Sequence, residues 1–188
     1  MDSKDTQWPR FQVFLQEKEG SAHQDVGSVH ASDPEMALQN ARDVFVRRPD
    51  CVNIWVVRAE QIYARTAEQI AAGVLDHDQN ELKKNGARET FCVFSKQKSA
   101  GTQTFMGEVQ AASPVAAMRQ ALDKFSTDKP PFAWLVFPKQ RILSSTPEDI
   151  DSMFAPAQGK SFRMATDFHT LTEMRRLMIR KENKDDDK

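Results

Sequence analysis

Phe11-Gln12-Val13-Phe14 and Phe91-Cys92-Val93-Phe94 are two readings of one strand, set 80 residues apart (91 − 11 = 80). That offset holds without a gap from residues 11–70 to 91–150, and a fixed offset over such a length is the signature of an internal duplication. The identities fall where a fold needs them: Gly27/Gly107, Val29/Val109, Ala31/Ala111, Pro34/Pro114, Ala37/Ala117, Ala41/Ala121, Phe45/Phe125 and Val56/Val136.

Outward from the quoted stretch, residues 8–16 set Phe11, Val13 and Leu15 against Arg10, Gln12 and Gln16, the period-two pattern of a strand with one buried face. Phe14 and Phe94 break the pattern by placing an apolar ring on the second face, which predicts that this face is covered as well. Residues 24–31 read as a second strand with Gly27, Val29 and Ala31 inward. The turn before it, Glu19-Gly20-Ser21-Ala22 in copy one and Ser99-Ala100-Gly101-Thr102 in copy two, makes the pair a hairpin.

Asp33-Pro34-Glu35 and Ser113-Pro114 then mark helix starts, because each pairs a capping oxygen with a proline at the first helical position, where a missing N–H costs nothing. Ala37, Leu38, Ala41 and Phe45, with Ala117, Met118, Ala121 and Phe125, form one buried stripe per helix. Pro49 and Pro130-Pro131 stop the helices. The runs from Cys51 to Val57 and from Phe132 to Phe137 are short and nearly all apolar, as a strand buried on both faces requires.

The sequence therefore predicts an α+β protein of two tandem β-β-α-β units. Residues 1–65 form the first, 66–88 a linker with a short helix near 67–74, 89–182 the second with a C-terminal extension, and 183–188 a polar tail. A three-stranded unit of about 60 residues buries too little apolar surface to stand alone. The two copies are expected to pack as an intramolecular pseudo-dimer.

The chain has 188 residues, with Lys+Arg 26 against Asp+Glu 27 and a net charge of −1, so no basic surplus points to nucleic acid or an anionic membrane. No apolar run reaches the roughly 18 residues needed to cross a bilayer, and the first residues lack the hydrophobic stretch of a secretory signal. A cytoplasmic protein is expected. Cys51 and Cys92 stand alone, without metal-ligand spacing, and read as two buried reduced thiols.

Motifs for nucleotide binding, acyl transfer and zinc or di-iron chemistry are absent from the sequence, and neither a catalytic residue nor a cofactor is assigned. His23 and His30 are separated by seven residues, an odd number that sets them on opposite faces of a shared strand, and copy two replaces them with Gln103 and Gln110. A metal site is not expected there. Arg42, Arg47, Arg48 and Arg58 could hold an anion, but copy two has Leu122 and Thr127 in place of Arg42 and Arg47, and a solvated helix face whose charges balance Asp33, Glu35 and Asp43 is the better account. Trp8, Trp55 and Trp134 read as core or interface anchors.

Copy one contains Trp8-Pro9-Arg10-Phe11, Val26-Gly27-Ser28-Val29-His30-Ala31, Asp33, Met36-Ala37-Leu38, Asn40-Ala41-Arg42-Asp43 and Ile54-Trp55-Val56-Val57. In these residues it resembles the B-component family of phenylacetyl-CoA epoxidase, the multicomponent ring oxygenase of phenylacetate degradation. Copy two keeps Gly107, Ala111, Pro114, Ala117, Ala121 and Asp123 but has Gln103, Gln110 and Gln120 for His23, His30 and Asn40. Its continuation from Thr146 to Thr170 resembles the C-terminal part of a single-copy member, a part that copy one is read as lacking.

The resemblance implies a non-catalytic connector. Its partners would be a di-iron catalytic oxygenase subunit and the structural homologue of that subunit, with the flavin and iron–sulfur reductase as a further partner. Trp8, His23, His30, Arg42 and Arg47, a polar set kept in copy one alone, are the candidate partner contacts. The rival reading, from the residues without the family, is a stand-alone small-molecule-binding or regulatory module.

Overall fold

The structure is a computed structural model that describes residues 8–46, 51–77, 87–125 and 129–149, together with Phe154 and Met174. The chain divides into two compact units, Met1–Gln158 and Gly159–Lys188. Of the second, Met174 alone is described, and its side chain is exposed. The tail at 183–188 lies outside the described residues.

The first copy contributes β1 (Arg10–Gln16), β2 (Gln24–His30), α1 (Pro34–Phe45) and β3 (Asn53–Arg58). A 3₁₀ turn, Ala59–Gln61, then leads into β4 (Tyr63–Thr66), α2 (Ala67–Ala71) and α3 (Val74–His77). The second copy repeats the pattern as β5 (Glu89–Lys96), β6 (Gln103–Ala111), α4 (Pro114–Lys124), β7 (Ala133–Pro138), the 3₁₀ turn Lys139–Arg141 and β8 (Leu143–Ser144). Both long helices start as the sequence predicts: Asp33 and Ser113 accept from the backbone N–H groups of Met36 and Ala116, with proline in the first turn. Pro49 lies outside the described residues, and α1 has already ended at Phe45.

The eight strands among the described residues form one antiparallel sheet in the order β4-β7-β5-β6-β2-β1-β3-β8. Each copy supplies a three-stranded core, β2-β1-β3 or β6-β5-β7. The two cores meet where Gln24 of β2 pairs with Thr104 of β6, and Phe105 N–H donates to the His23 carbonyl at 2.9 Å. Gln24 and Thr104 are equivalent positions of the repeat, so the seam lies on the pseudo-twofold axis that relates the copies. This is the intramolecular pseudo-dimer.

Two features depart from β-β-α-β. Each copy has a fourth strand, and that strand pairs with the other copy: β4 with β7, and β8 with β3. The stretch read as a linker is thus occupied, up to residue 77, by the end of β4 and by α2 and α3, and its Leu75 is buried in the second copy's core. Reciprocally, Phe154 is buried in the first copy's core. Copy one therefore does carry an arm beyond its third strand, and the two arms are exchanged. The polar run 78–86 lies outside the described residues.

Three apolar cores result among the described residues. One packs Phe11, Val13, Leu15, Ile54 and Val56 against Ala37, Leu38 and Ala41 of α1, and a second does the same with Phe91, Val93, Trp134 and Val136 under α4. The third joins the copies through the opposite sheet faces: Phe14, Val57, Cys92, Phe94, Leu135 and Phe137. Phe14 and Phe94 meet there with ring centroids 4.4 Å apart, and each also packs on Phe137. The second strand face is covered by the other copy, so the apolar rings that broke the alternation are what bind the halves.

Candidate functional site

The polar residues kept only in copy one fall into two places. His23 is buried, just before β2, and its ring stacks on Trp55 with centroids 3.5 Å apart. Its Nε2 lies 2.9 Å from Asn53 Oδ1, an acceptor, so Nε2 carries the proton and donates. Asn53 in turn donates from Nδ2 to Ser144 Oγ at 3.1 Å and to the Ser145 carbonyl at 2.9 Å, and Ser145 Oγ accepts from Ile54 N–H at 2.9 Å. The network ties β2 and β3 of one copy to β8 of the other. Burial holds the His23 pKa below its ordinary value, with the Asn53 hydrogen bond acting against it.

His30, Trp8 and Arg42 lie at the surface. His30 Nδ1 donates to the Trp8 carbonyl at 2.7 Å, Asn40 donates to the His30 carbonyl at 3.1 Å, and the Trp8 side chain is 56% exposed. Arg42 forks Nε and Nη2 onto one oxygen of Asp43, at 3.0 and 2.8 Å. Met36 and Val44 are exposed apolar side chains of the same helix. Arg47, the fifth candidate, lies outside the described residues. The structure thus brings Trp8 and His30 together and separates His23 from them by turning it inward.

His23 and His30 do not fall on opposite strand faces, as their odd separation predicts. Val26 is skipped in the β1–β2 register, where Val13 pairs with Gly27 and Phe14 with Asp25. This bulge adds one residue to β2, so the odd separation returns the two histidines to one face. Asp25, beside the bulge, accepts from the Gln12 amide at 2.7 Å and from Gly27 N–H at 2.9 Å, and burial raises its pKa. Among the described residues no three His, Cys, Asp or Glu side chains come together as a metal cluster would require. Both cysteines are free and buried, and desolvation pushes the thiols up to about 11 for Cys51 and about 12 for Cys92.

Asn53, Ser144 and Ser145 were not read from the sequence as belonging with His23. A polar Asn53 inside the apolar run Cys51–Val57, answered by Ala133 in copy two, was the available signal. Copy two also carries an open groove of about 510 Å³ beside β6 and α4, lined by Thr90, Glu108, Gln110, Gln120 and Lys124. Its copy-one equivalents include His30, Asn40 and Val44.

The family model described as Phenylacetic acid degradation B matches residues 7–84 and, a second time, residues 88–175. The chain belongs to this family. Its two family copies correspond to the two structural repeats, and the first match runs through β4, α2 and α3, in accord with the arm that copy one carries. The B component of the 1,2-phenylacetyl-CoA epoxidase of Escherichia coli (strain K12) is 48% identical over 62 residues, 33% of this chain and 65% of that protein. The matched stretch therefore falls just short of two thirds of the relative's length. No solved structure gives a significant match. No helix among the described residues is long and apolar enough to cross a membrane.

Proposed function

We propose that this member of the Phenylacetic acid degradation B family is a cytoplasmic, non-catalytic connector of a phenylacetyl-CoA epoxidase-type oxygenase. A di-iron subunit and its structural homologue would be the partners, and a flavin and iron–sulfur reductase would supply electrons. The observation that carries this reading is the double family match on one chain whose two copies share a single sheet. A connector needs rigidity, and two copies fused through one sheet support that reading. The docking face is assigned to copy one, at Trp8, His30, Arg42 and Arg47. His23, although kept only in that copy, is buried at the other end of β2 and is taken as joining β2 and β3 to β8.

Co-purification with the two oxygenase subunits, followed by mass spectrometry and metal analysis, tests the reading. The expected result is a stable complex whose iron stays with the di-iron partner. The chain eluting alone would overturn it. Changing Arg42 and Arg47 together to Ala is expected to weaken the complex by about 2 kcal/mol, as loss of interface arginines does, while leaving the thermal midpoint nearly unchanged. Changing the aligned Leu122 and Thr127 to Ala should leave affinity intact; equal losses from both pairs would remove the assignment to copy one. The copy-two groove favours a second reading, a small-molecule-binding module, which an ultraviolet-absorbing ligand carried through purification would support.

A further inference from the structure

A cavity of about 290 Å³ opens at the start of α1, where the two copies interlock. Its floor is Phe11, Val56, Ile142 and Leu143, and its rim carries Glu35, Arg58, Gln61, Gln140 and Arg141. The first copy supplies Phe11, Val56 and the helix start, and the second supplies the 3₁₀ turn and β8. By the repeat, the corresponding place on the second copy lies at the start of α4, beside β4. Six of the ten lining positions differ between the copies, and two of the changes alter the apolar filling: Tyr63 stands for Leu143, and Val115 for Glu35.

Tyr63 packs on the second copy's core, Arg65 lays its guanidinium 4.0 Å from the centre of that ring, and Val115 is fully buried beneath α4. On the first copy the ring has become a leucine and the valine an exposed glutamate. The residues that fill one copy from within are the same two that line the cavity in the other. The repeat therefore supplies a template for what the cavity is shaped to hold.

We propose that this cavity receives an aromatic side chain of a partner protein, seated over Leu143 in the space that the larger Tyr63 takes up on the second copy. The size fits a single ring: 290 Å³ is at the lower limit of the roughly 300–1,000 Å³ typical of small-molecule sites. The chemistry fits as well. An apolar floor takes the ring, and the amides of Gln61 and Gln140 and the guanidinium of Arg141 on the rim offer donors to a phenol oxygen. Buried aromatic anchors in such holes dominate the energetics of protein interfaces.

The test needs no oxygenase subunit, so its outcome is separate from that of the connector reading. The full chain, labelled with ¹⁵N, is titrated with N-acetyl-tyrosine-methylamide and with N-acetyl-alanine-methylamide, and amide resonances are followed. The tyrosine probe is expected to shift the amides of Glu35, Gln61, Gln140 and Leu143 with millimolar affinity, and the alanine probe to leave them in place. Leu143→Tyr, which fills the cavity from within as Tyr63 does, should abolish the shifts while keeping the thermal midpoint at or above that of the parent. Glu35→Val, the other half of the template, should weaken binding at least tenfold and keeps the test decisive should Leu143→Tyr misfold. No shift with the tyrosine probe, equal shifts with both probes, or unaltered binding in the folded variants would overturn the proposal.

Discussion

Gly27 and Gly107 show how a single position couples backbone and packing. Each lies at positive φ, +128° and +146°, beside the bulge that both copies place in their second strand. A Cβ at Gly27 would lie 3.2 Å from the Phe45 ring, and one at Gly107 only 2.8 Å from the Phe125 ring. The glycine and the phenylalanine recur together in the two copies because each is the other's space. Gly27→Ala and Gly107→Ala are expected to destabilise by about 1–3 kcal/mol, with Gly107→Ala the worse, since strain and overlap add. Urea midpoints with unchanged slopes would measure this, and an unchanged midpoint for Gly107→Ala would remove the packing account.

Buried His23 makes the fold sensitive to acid in a defined direction. Its folded pKa lies below the usual 6.5, so on acidification the unfolded chain takes up that proton first. Below pH 6.5 the unfolded state then holds more protons than the folded one, and stability falls as pH drops through that window. Asp25 works the other way in a lower range: its raised pKa means that the folded state binds the proton first, so in the window just above 3.8 stability falls as pH rises. Thermal midpoints are expected to decline between about pH 7 and about pH 5.5, and His23→Gln, the copy-two residue, should flatten that decline. An identical slope in His23→Gln would assign the acid sensitivity to another group. None of this could be read in advance, because the bulge at Val26 altered the face on which His23 was counted, and the contacts that bury it come from Asn53 and Trp55, thirty residues and more along the chain.

At the scale of elements, the local signals were sufficient for six of the strands and both long helices. Alternation about Phe11 and Phe91, the glycine turns, the Asp33-Pro34 and Ser113-Pro114 starts and the apolar runs at 53–57 and 133–137 each act within a few residues, and the structure follows them. β4 and β8 were missed for a physical reason. They span four and two residues, too few for a period to register, and they exist only because they find a partner in the other copy. What fixes β8 is side-chain chemistry: Asn53 holds Ser144 and Ser145, and Ser145 N–H donates to the Ile54 carbonyl at 2.9 Å. Asn53→Ala is expected to cost about 1–3 kcal/mol, the scale of leaving buried polar groups unpaired. Hydrogen exchange would locate the loss, with the Ser145 amide losing protection while amides within α4 keep theirs. Uniform loss across both copies would mean that Asn53 supports the whole fold and not this one strand.

For the molecule as a whole, the third core and the exchanged arms leave neither copy with a complete interior of its own. Residues 1–77 without the rest would expose Phe14 and Val57 and lose Leu143 and Phe154, and residues 87–188 would expose Phe94 and Phe137 and lose Tyr63 and Leu75. A single unfolding transition is expected for the full chain, with no cooperative transition in either fragment and recovery of one on mixing them. Two fragments that each melt sharply would show the copies to be independent domains. The duplication itself was plain in the sequence, and so was the coverage of a second strand face. The crossing of the arms was not, since a repeat offset says which residues are equivalent and nothing about which copy they touch.

The seam at Gln24 and Thr104 has a consequence for counting. Two separate, identical units joined on such an axis must display every surface side chain twice, so whatever one face recruits, the opposite face recruits as well. Tying the units into one chain lifts that obligation. His30 and Arg42 stand on one side with Gln110 and Leu122 opposite them, and Leu143 leaves open on one side what Tyr63 fills on the other. The valence of the scaffold is therefore free to drop from two to one without loss of the shared interior, and a directional assembly becomes possible from a symmetric frame.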